Sequence, residues 1–100
     1  MKERDIVKKI RTELLDRLGV RLHKATGGPY GEIGASDLYG TLPGGRAVYV
    51  EVKMPGKKGR PEQVHWLEAE AKMGAVAVLV TSWDELQQIL STEGYLTTTK

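Results

Sequence analysis

The sequence contains no cysteine, so it has no disulfide framework and no thiolate to bind a metal or act as a nucleophile. No apolar run approaches the roughly 20 residues that a membrane span needs. The start of the chain, residues 1–5, is highly charged, which predicts that no secretory signal is present. We therefore expect an intracellular, cytoplasmic protein with no membrane partner.

The length of 100 residues is typical of one domain, which we place at residues 1–90 with a loose tail at 91–100. The net charge of +2 is unevenly distributed. Residues 1–24 carry eight Lys/Arg against four acids, residues 43–60 five against one, and residues 61–100 two against six. This asymmetry suits a polyanion that approaches one side of the molecule, although a solvated surface with scattered lysines fits the charge equally well.

Hydrophobic periodicity predicts seven elements in the order α-β-β-β-α-β-α. Helices are expected at 3–18, 61–73 and from a capping box at Ser82 and Glu85 to about 90, and strands at 20–24, 37–42, 46–53 and 75–80. Residues 25–36, with four glycines and a proline, form a long loop, and residues 54–60 form a basic one. The fold class is therefore α/β, with a central mixed sheet flanked by helices.

One strand carries a candidate site on the face opposite its valines. Glu51 and Lys53 are two residues apart, so their side chains emerge on the same face, roughly 6–7 Å apart. The turn at 43–45 pairs this strand with the one that Asp37 begins, so the Asp37 carboxylate is expected near Glu51. Two carboxylates repel unless a cation lies between them, and Mg²⁺ favours one or two carboxylates with water and phosphate oxygens.

Such an ion polarises a phosphate and activates an attacking water, and Lys53 would orient or deprotonate that water or contact the phosphate. The backbone carbonyl of Val52 is a further candidate ligand. On spacing alone, a different interpretation is more common: a Glu-x-Lys pair on a half-exposed strand is usually a solvated ion pair worth about 0–1 kcal/mol. Asp37 by itself could equally be a turn or cap residue.

The order of these motifs resembles the PD-(D/E)XK nuclease superfamily, and more closely a stand-alone virus-type replication-repair nuclease (VRR-NUC) domain. The matching stretches are Lys2-Glu3, Gly34-Ala35-Ser36-Asp37, Leu42-Pro43-Gly44-Gly45-Arg46, Tyr49-Val50-Glu51-Val52-Lys53-Met54-Pro55-Gly56-Lys57 and Arg60-Pro61-Glu62-Gln63. The resemblance covers about residues 2–90 and implies a restriction-endonuclease-like core, of phage or bacterial origin. One departure is Ser36, where the family usually has proline before the aspartate.

By this resemblance Asp37 and Glu51 are the ligands of Mg²⁺ or Mn²⁺, and Lys53 is the catalytic lysine. Glu3 matches an acidic residue on the family's first helix, and Gln63 matches a glutamine associated with the active site. Without the resemblance, Glu3 would be an acid favoured by the helix dipole and Gln63 a surface residue.

Four basic residues are candidates for contact with DNA phosphates: Lys24, in polar phase on its strand, and Lys57, Lys58 and Arg60 in the basic loop. Each could also be solvated surface. His23 and His65 have no partner at ligand spacing and are interpreted as structural or exposed. Tyr30 would stack on a base or pack within its loop, and Trp66 and Leu67 belong to the core or an interface.

The leading hypothesis is an endonuclease that cuts branched or structured DNA, such as four-way junctions, and the resemblance alone supplies that preference. It also implies a homodimer, which would cut two strands symmetrically, with the C-terminal half as the interface. Two alternatives stay open: a non-catalytic DNA-binding or replication-partner module on the same fold, and a structural α/β domain with no nucleic-acid role.

Overall fold

The computed structural model describes residues 2–25 and 37–97. Its elements, in chain order, are α1 (Glu3–Leu18), β1 (His23–Lys24), β2 (Leu38–Thr41), β3 (Ala47–Val52), α2 (Pro61–Lys72), β4 (Val76–Val80) and α3 (Trp83–Thr92). The predicted order α-β-β-β-α-β-α and the α/β class are confirmed. Within the described residues, no helix is both long enough and apolar enough to cross a membrane.

The four strands form one mixed sheet in the order β1-β2-β3-β4. The pairs β1–β2 and β2–β3 are antiparallel, and β3 pairs with β4 in parallel. Parallel neighbours need a crossover connection, which α2 provides. The hairpin between β2 and β3 turns at Gly44 and Gly45, whose φ angles of 91° and 96° are rarely adopted by other residues. The hairpin fixes which residues of β2 and β3 face each other.

The apolar face of the sheet packs against two helices. Val48, Val50 and Val52 of β3 are buried there, beneath α1 and α3. Helix α1 contributes an i, i+4 stripe, and α3 contributes residues spaced three and four apart; these buried residues are Ile6, Ile10 and Leu14 of α1 and Trp83, Leu86 and Leu90 of α3. The valine face is therefore the core face, as the alternation in β3 predicts.

The opposite face of the sheet is covered at the β4 side by α2. Leu67 of this helix is buried, and the ring of Trp66 meets that of Tyr49 edge-on with centroids 4.9 Å apart. This face carries the residues of β3 that alternate with the valines, including Glu51. The site residues therefore lie on the α2 side of the sheet.

Several boundaries differ from the prediction. The first strand contains only His23 and Lys24, because the backbone N–H of Val20 caps α1 by donating to Leu14 (3.2 Å). In the predicted capping box Ser82 accepts from the Glu85 N–H, but the Glu85 carboxylate accepts from Thr81 instead of Ser82.

The C-terminal segment departs from the loose tail expected from residue 91. Helix α3 extends to Thr92, and the side chains of Tyr95 and Leu96 pack against the core. The glycine-rich loop predicted at 25–36, with Tyr30 and the Gly34-Ala35-Ser36 motif, lies outside the described residues from 26 onward.

Gly40 in β2 allows the chain before β1 to approach closely. A Cβ at this position would lie 2.8 Å from the backbone oxygen of Arg21 and 3.2 Å from Leu22 Cδ2. Backbone cannot yield as a side-chain end does, so we expect Gly40→Ala to lower the free energy of unfolding by about 1–3 kcal/mol. Urea unfolding followed by circular dichroism would measure the loss. Unchanged stability would mean that this approach is not tight in solution.

Candidate active site

The hairpin register brings Asp37 beside Glu51. Leu38 pairs with Val50, so Asp37, one residue earlier, lies opposite Glu51, one residue later. The backbone N–H of Asp37 donates to Glu51 Oε1 at 3.1 Å. Directly opposed residues of an antiparallel pair share a face of the sheet. The predicted proximity of Asp37 and Glu51 is therefore confirmed.

Glu51 is a buried carboxylate, with only 2% of its surface exposed. Its Oε1 accepts the Asp37 bond, while Oε2 accepts from Gln63 Nε2 at 3.2 Å and lies 3.7 Å from Lys53 Nζ. This burial excludes the interpretation of Glu51 and Lys53 as an ordinary solvated surface pair. A carboxylate offers about four lone-pair positions, so these donors leave capacity for a further ligand.

The environment of Glu51 disfavours its negative charge. Burial raises the pKa of the Glu51 carboxyl above its ordinary value of 4.5, and the charge of Asp37 raises it further. The Asp37 N–H and the charge of Lys53 act on the pKa in the opposite direction. A cation between the two carboxylates would relieve both the burial cost and the repulsion.

Lys53 lies one residue beyond the end of β3 but continues its ladder. Its backbone N–H donates to the Val80 carbonyl of β4 at 3.0 Å, which keeps Lys53 in the strand's alternation and on the face of Glu51. Its side chain is 22% exposed. The predicted Glu51–Lys53 pair is therefore present, with the cation at the edge of solvent.

Gln63 connects the carboxylate to the start of α2. It is 5% exposed, and so is not the surface residue that spacing alone suggested. Its Oε1 accepts the backbone N–H of Arg60 at 3.0 Å, and its Nε2 donates to Glu51. Only this orientation of the amide satisfies both partners, because an N–H must face an acceptor and an oxygen a donor. One side chain therefore caps α2 and positions Glu51.

Glu3 and Lys24 approach the site from the other face of the sheet. Both line a cavity of about 140 Å³ with Asp37 and Val52. The predicted polar phase of Lys24 is wrong as to the face: Lys24 pairs with buried Leu38 and so lies on the α1 face, although its side chain is exposed on the edge strand. Val52 contributes its buried side chain to the cavity.

The basic loop lies between Lys53 and α2. Lys57 and Lys58 are exposed, and a turn closes when the Lys57 N–H donates to Met54 (3.0 Å). The guanidinium of Arg60 is also exposed and lies 3.5 Å from Glu62. The loop therefore offers cations to solvent beside the carboxylates, at the point where α2 begins.

Two residues at the site were not predicted. Arg4 lines the cavity with Glu3 and Asp37, and Tyr39 lies two residues along β2 from Asp37, on the same face. The alternation of β2 contains the signal for Tyr39. Nothing in the sequence marks Arg4 apart from its position next to Glu3. His23 and His65 are exposed, and the described residues contain no group of three or more His, Cys, Asp or Glu placed to hold a metal.

The chain was compared with known proteins. No model of a protein family matches it, and neither does any curated protein. It is similar to a solved structure described as a VRR_NUC domain, with 30% sequence identity and a TM-score of 0.71, over 96% of this chain and 100% of that one. A second structure, described as a VRR_NUC domain protein, has 18% identity and a TM-score of 0.68, over 91% of this chain and 86% of that one.

The fold and these likenesses define a nuclease-type α/β domain. The second likeness, at 18% identity, supports the fold alone, whereas the first spans the whole of the matched domain at 30%. The chain belongs to the virus-type replication-repair nuclease (VRR-NUC) family.

Proposed function

We propose that this domain is a divalent-metal-dependent endonuclease that hydrolyses phosphodiester bonds in DNA, with Mg²⁺ or Mn²⁺ bound by Asp37 and Glu51. The observation that carries the proposal is the buried Glu51 carboxylate, held by fixed donors beside a second carboxylate and a lysine. A protein that needed only to bind DNA would gain nothing from burying this charge, which costs folding free energy.

The donor set fits a hard cation. Asp37 and Glu51 supply two carboxylates, which suits an ion that completes its shell with water and phosphate oxygens. The Val52 carbonyl is proposed as a third protein ligand. When bound, the ion would polarise the scissile phosphate and lower the pKa of an attacking water.

The protein's own side chains donate hydrogen bonds, orient Glu51 and bind phosphates. An ammonium has three donors and no acceptor, so Lys53 donates to the attacking water or to a phosphate oxygen. Gln63 and the Asp37 N–H fix the Glu51 carboxylate before substrate arrives, so less reorganisation is needed during the reaction. Glu3 lines the same cavity as Asp37. Backbone phosphates are neutralised by four basic residues, Lys24, Lys57, Lys58 and Arg60.

The preferred substrate is proposed to be branched or structured DNA, such as a four-way junction, in keeping with the family. One chain carries one set of catalytic groups and cuts one strand at a time. A two-fold homodimer would present two such sites and cut two strands symmetrically.

Lys53→Ala tests the proposal. We expect cleavage of a junction substrate with Mg²⁺ or Mn²⁺ to fall by about 10²–10³-fold, because one preorganised donor to the reacting groups is lost. Binding to the same DNA should change little. The measurement is a single-turnover cleavage rate beside a binding isotherm. Lys72→Ala, which removes a lysine at the far end of α2, is the matched control and should cleave as the wild type does.

The non-catalytic alternative predicts a different result. A binding module would retain salt-dependent DNA binding through the basic loop, yet the wild-type protein would cut no DNA with either metal. That outcome would overturn the catalytic proposal. Absence of salt-dependent binding would also remove the DNA-binding role.

A further inference from the structure

A row of rings crosses the sheet directly beside the carboxylates. His23 of β1, Tyr39 of β2 and Tyr49 of β3 occupy successive paired positions, so their side chains share one face. The centroids of His23 and Tyr39 are 5.4 Å apart, and Trp66 of α2 closes the far end against Tyr49. The next row on this face contains Asp37 and Glu51, two residues and about 7 Å further along the strands.

The β1–β2 end of this row is open. Helix α2 packs over β4 and reaches Tyr49 through Trp66, whereas Tyr39 is 43% exposed and His23 is exposed. Tyrosine is usually placed with its ring covered, because its surface is largely apolar. Two exposed rings in contact, tilted by 38° to each other and next to a candidate active site, present ring faces at the place where a substrate would lie.

Positive charge flanks the same rings. A groove of about 350 Å³ between α1 and the chain leading into β1 is lined by Arg11, Arg21 and His23, among others. Arg11 Nη2 donates to the Leu22 carbonyl at 3.1 Å, which holds its guanidinium at the groove. The groove lies at the β1 edge of the sheet and meets the ring row at His23, so a polyanionic backbone that crosses this edge would encounter both cations.

We propose that His23 and Tyr39 form a stacking platform for an unpaired nucleobase of the DNA substrate, next to the scissile phosphate, with Arg11 and Arg21 contacting the adjoining phosphates. The proposal rests on the proposed nuclease function and adds the feature of the substrate that is recognised. Every base has a π-face that stacks on an aromatic ring, whereas bases within a duplex already stack on each other. The platform therefore selects DNA with unpaired nucleotides, without reading their sequence.

The test compares two DNAs that carry equal numbers of phosphates: a fully paired duplex and a duplex with an internal unpaired loop. Binding is measured without divalent metal, so that no strand is cut. We expect the wild-type protein to prefer the looped DNA and Tyr39→Ala to weaken that binding by about 5- to 100-fold, the range for loss of one stacked base. Binding to the paired duplex should hardly change, and Tyr39→Phe should retain the preference.

A fluorescent adenine analogue in the unpaired loop reports stacking directly. Its emission should be quenched on binding to the wild type and to Tyr39→Phe but not to Tyr39→Ala. Tyr39→Leu keeps an apolar side chain on the strand, so it separates loss of the ring from loss of folding. Met73→Ala removes an exposed apolar side chain at the end of α2, away from the rings and the groove, and should leave the preference and the quenching intact.

Two results would overturn the platform: no preference of the wild type for the looped DNA, or equal weakening of both DNAs by Tyr39→Ala. Rings that only stabilise the sheet would lower the melting temperature of the variant and leave the preference unchanged. Failure of the nuclease proposal is distinguishable, since it would appear as absence of cleavage by the wild type when Mg²⁺ or Mn²⁺ is added.

Discussion

Asp37→Asn should lower DNA cleavage by about 10³-fold or more and, at the same time, stabilise the metal-free protein. The loss of rate follows from removing one of the two proposed carboxylate ligands, since a bound ion contributes several kcal/mol to the transition state and each 1.36 kcal/mol is tenfold in rate. The gain in stability follows from relieving Glu51, which is buried beside the charge of Asp37. Asparagine retains the backbone N–H that Glu51 accepts.

The pH dependence of this gain has a definite sign. Because its pKa is raised, Glu51 binds its proton more tightly in the folded protein than in the unfolded chain, where the value is near 4.5. The wild type therefore loses stability as the pH rises above that value. In Asp37→Asn this loss is smaller. The advantage of the variant should be on the order of 1 kcal/mol at pH 7, as for other optimised charge contacts, and should shrink toward pH 4.5.

Melting temperatures measured with and without Mg²⁺ would check both effects. Metal that binds only the native state should stabilise the wild type and leave Asp37→Asn unchanged. Glu68→Gln removes the same charge from an exposed position on α2 and serves as the control. Near-wild-type cleavage by Asp37→Asn, or lower stability in the absence of metal, would contradict the arrangement described for Asp37 and Glu51.

Gln63 provides the second large effect, because its amide bonds both to the buried Glu51 carboxylate and to the backbone N–H of Arg60. Gln63→Leu leaves the Arg60 N–H and Glu51 Oε2 without this partner. A buried group that loses its hydrogen-bond partner costs about 1–3 kcal/mol, so we expect unfolding free energy to fall by about 2–4 kcal/mol and cleavage to fall as Glu51 loses its fixed orientation.

Gln63→Glu gives the sharper result. At neutral pH the new carboxylate would face Glu51 Oε2 at the 3.2 Å separation that the amide now occupies, and two carboxylates this close do not both ionise. When protonated, the new group donates to Glu51 through its O–H and accepts from Arg60 through its other oxygen, as the amide does. The variant should therefore be strongly destabilised at pH 8 and recover toward the wild type near pH 5.

Urea unfolding across this pH range would measure the recovery. Gln88→Glu makes the same substitution at an exposed position on α3 and should show no comparable dependence on pH. The sign follows from linkage: a carboxyl group whose folded pKa is raised contributes stability at low pH that is lost as the pH rises. A variant equally stable at both ends would show that Gln63 does not contact Glu51.

Local patterns were sufficient to predict much of this fold. The spacing of Ile6, Ile10 and Leu14 predicts α1, and alternation in β3 predicts that Glu51 and Lys53 share a face opposite the valines. The turn at 43–45 predicts the pairing that brings Asp37 to Glu51. Each of these inferences involves residues that are near in sequence, where backbone geometry alone determines direction.

The rest depends on packing between distant elements. Periodicity gives the face on which Glu51 lies but not its burial, which requires the loop before α2 and the helix itself to cross that face. The bonds of Gln63 follow from the same crossing, since Gln63 lies on α2 and Glu51 on β3. The error over Lys24 was of another kind, because its parity with Leu22 already placed it on the α1 face of the sheet.

The parallel pairing of β3 with β4 also determines when activity can arise during synthesis. The candidate site residues all leave the ribosome before residues 76–80; they are Asp37, Glu51, Lys53 and Gln63. Strand β3, however, lies between β2 and β4 in the sheet, and the backbone N–H of Lys53 bonds to the Val80 carbonyl of β4. Contacts across such separations form late, after the chain has paid the entropy of closing a long loop. A nascent chain that ends before β4 would lack the strand to which Lys53 is anchored, so we expect an unfinished copy to be inactive as the proposed nuclease.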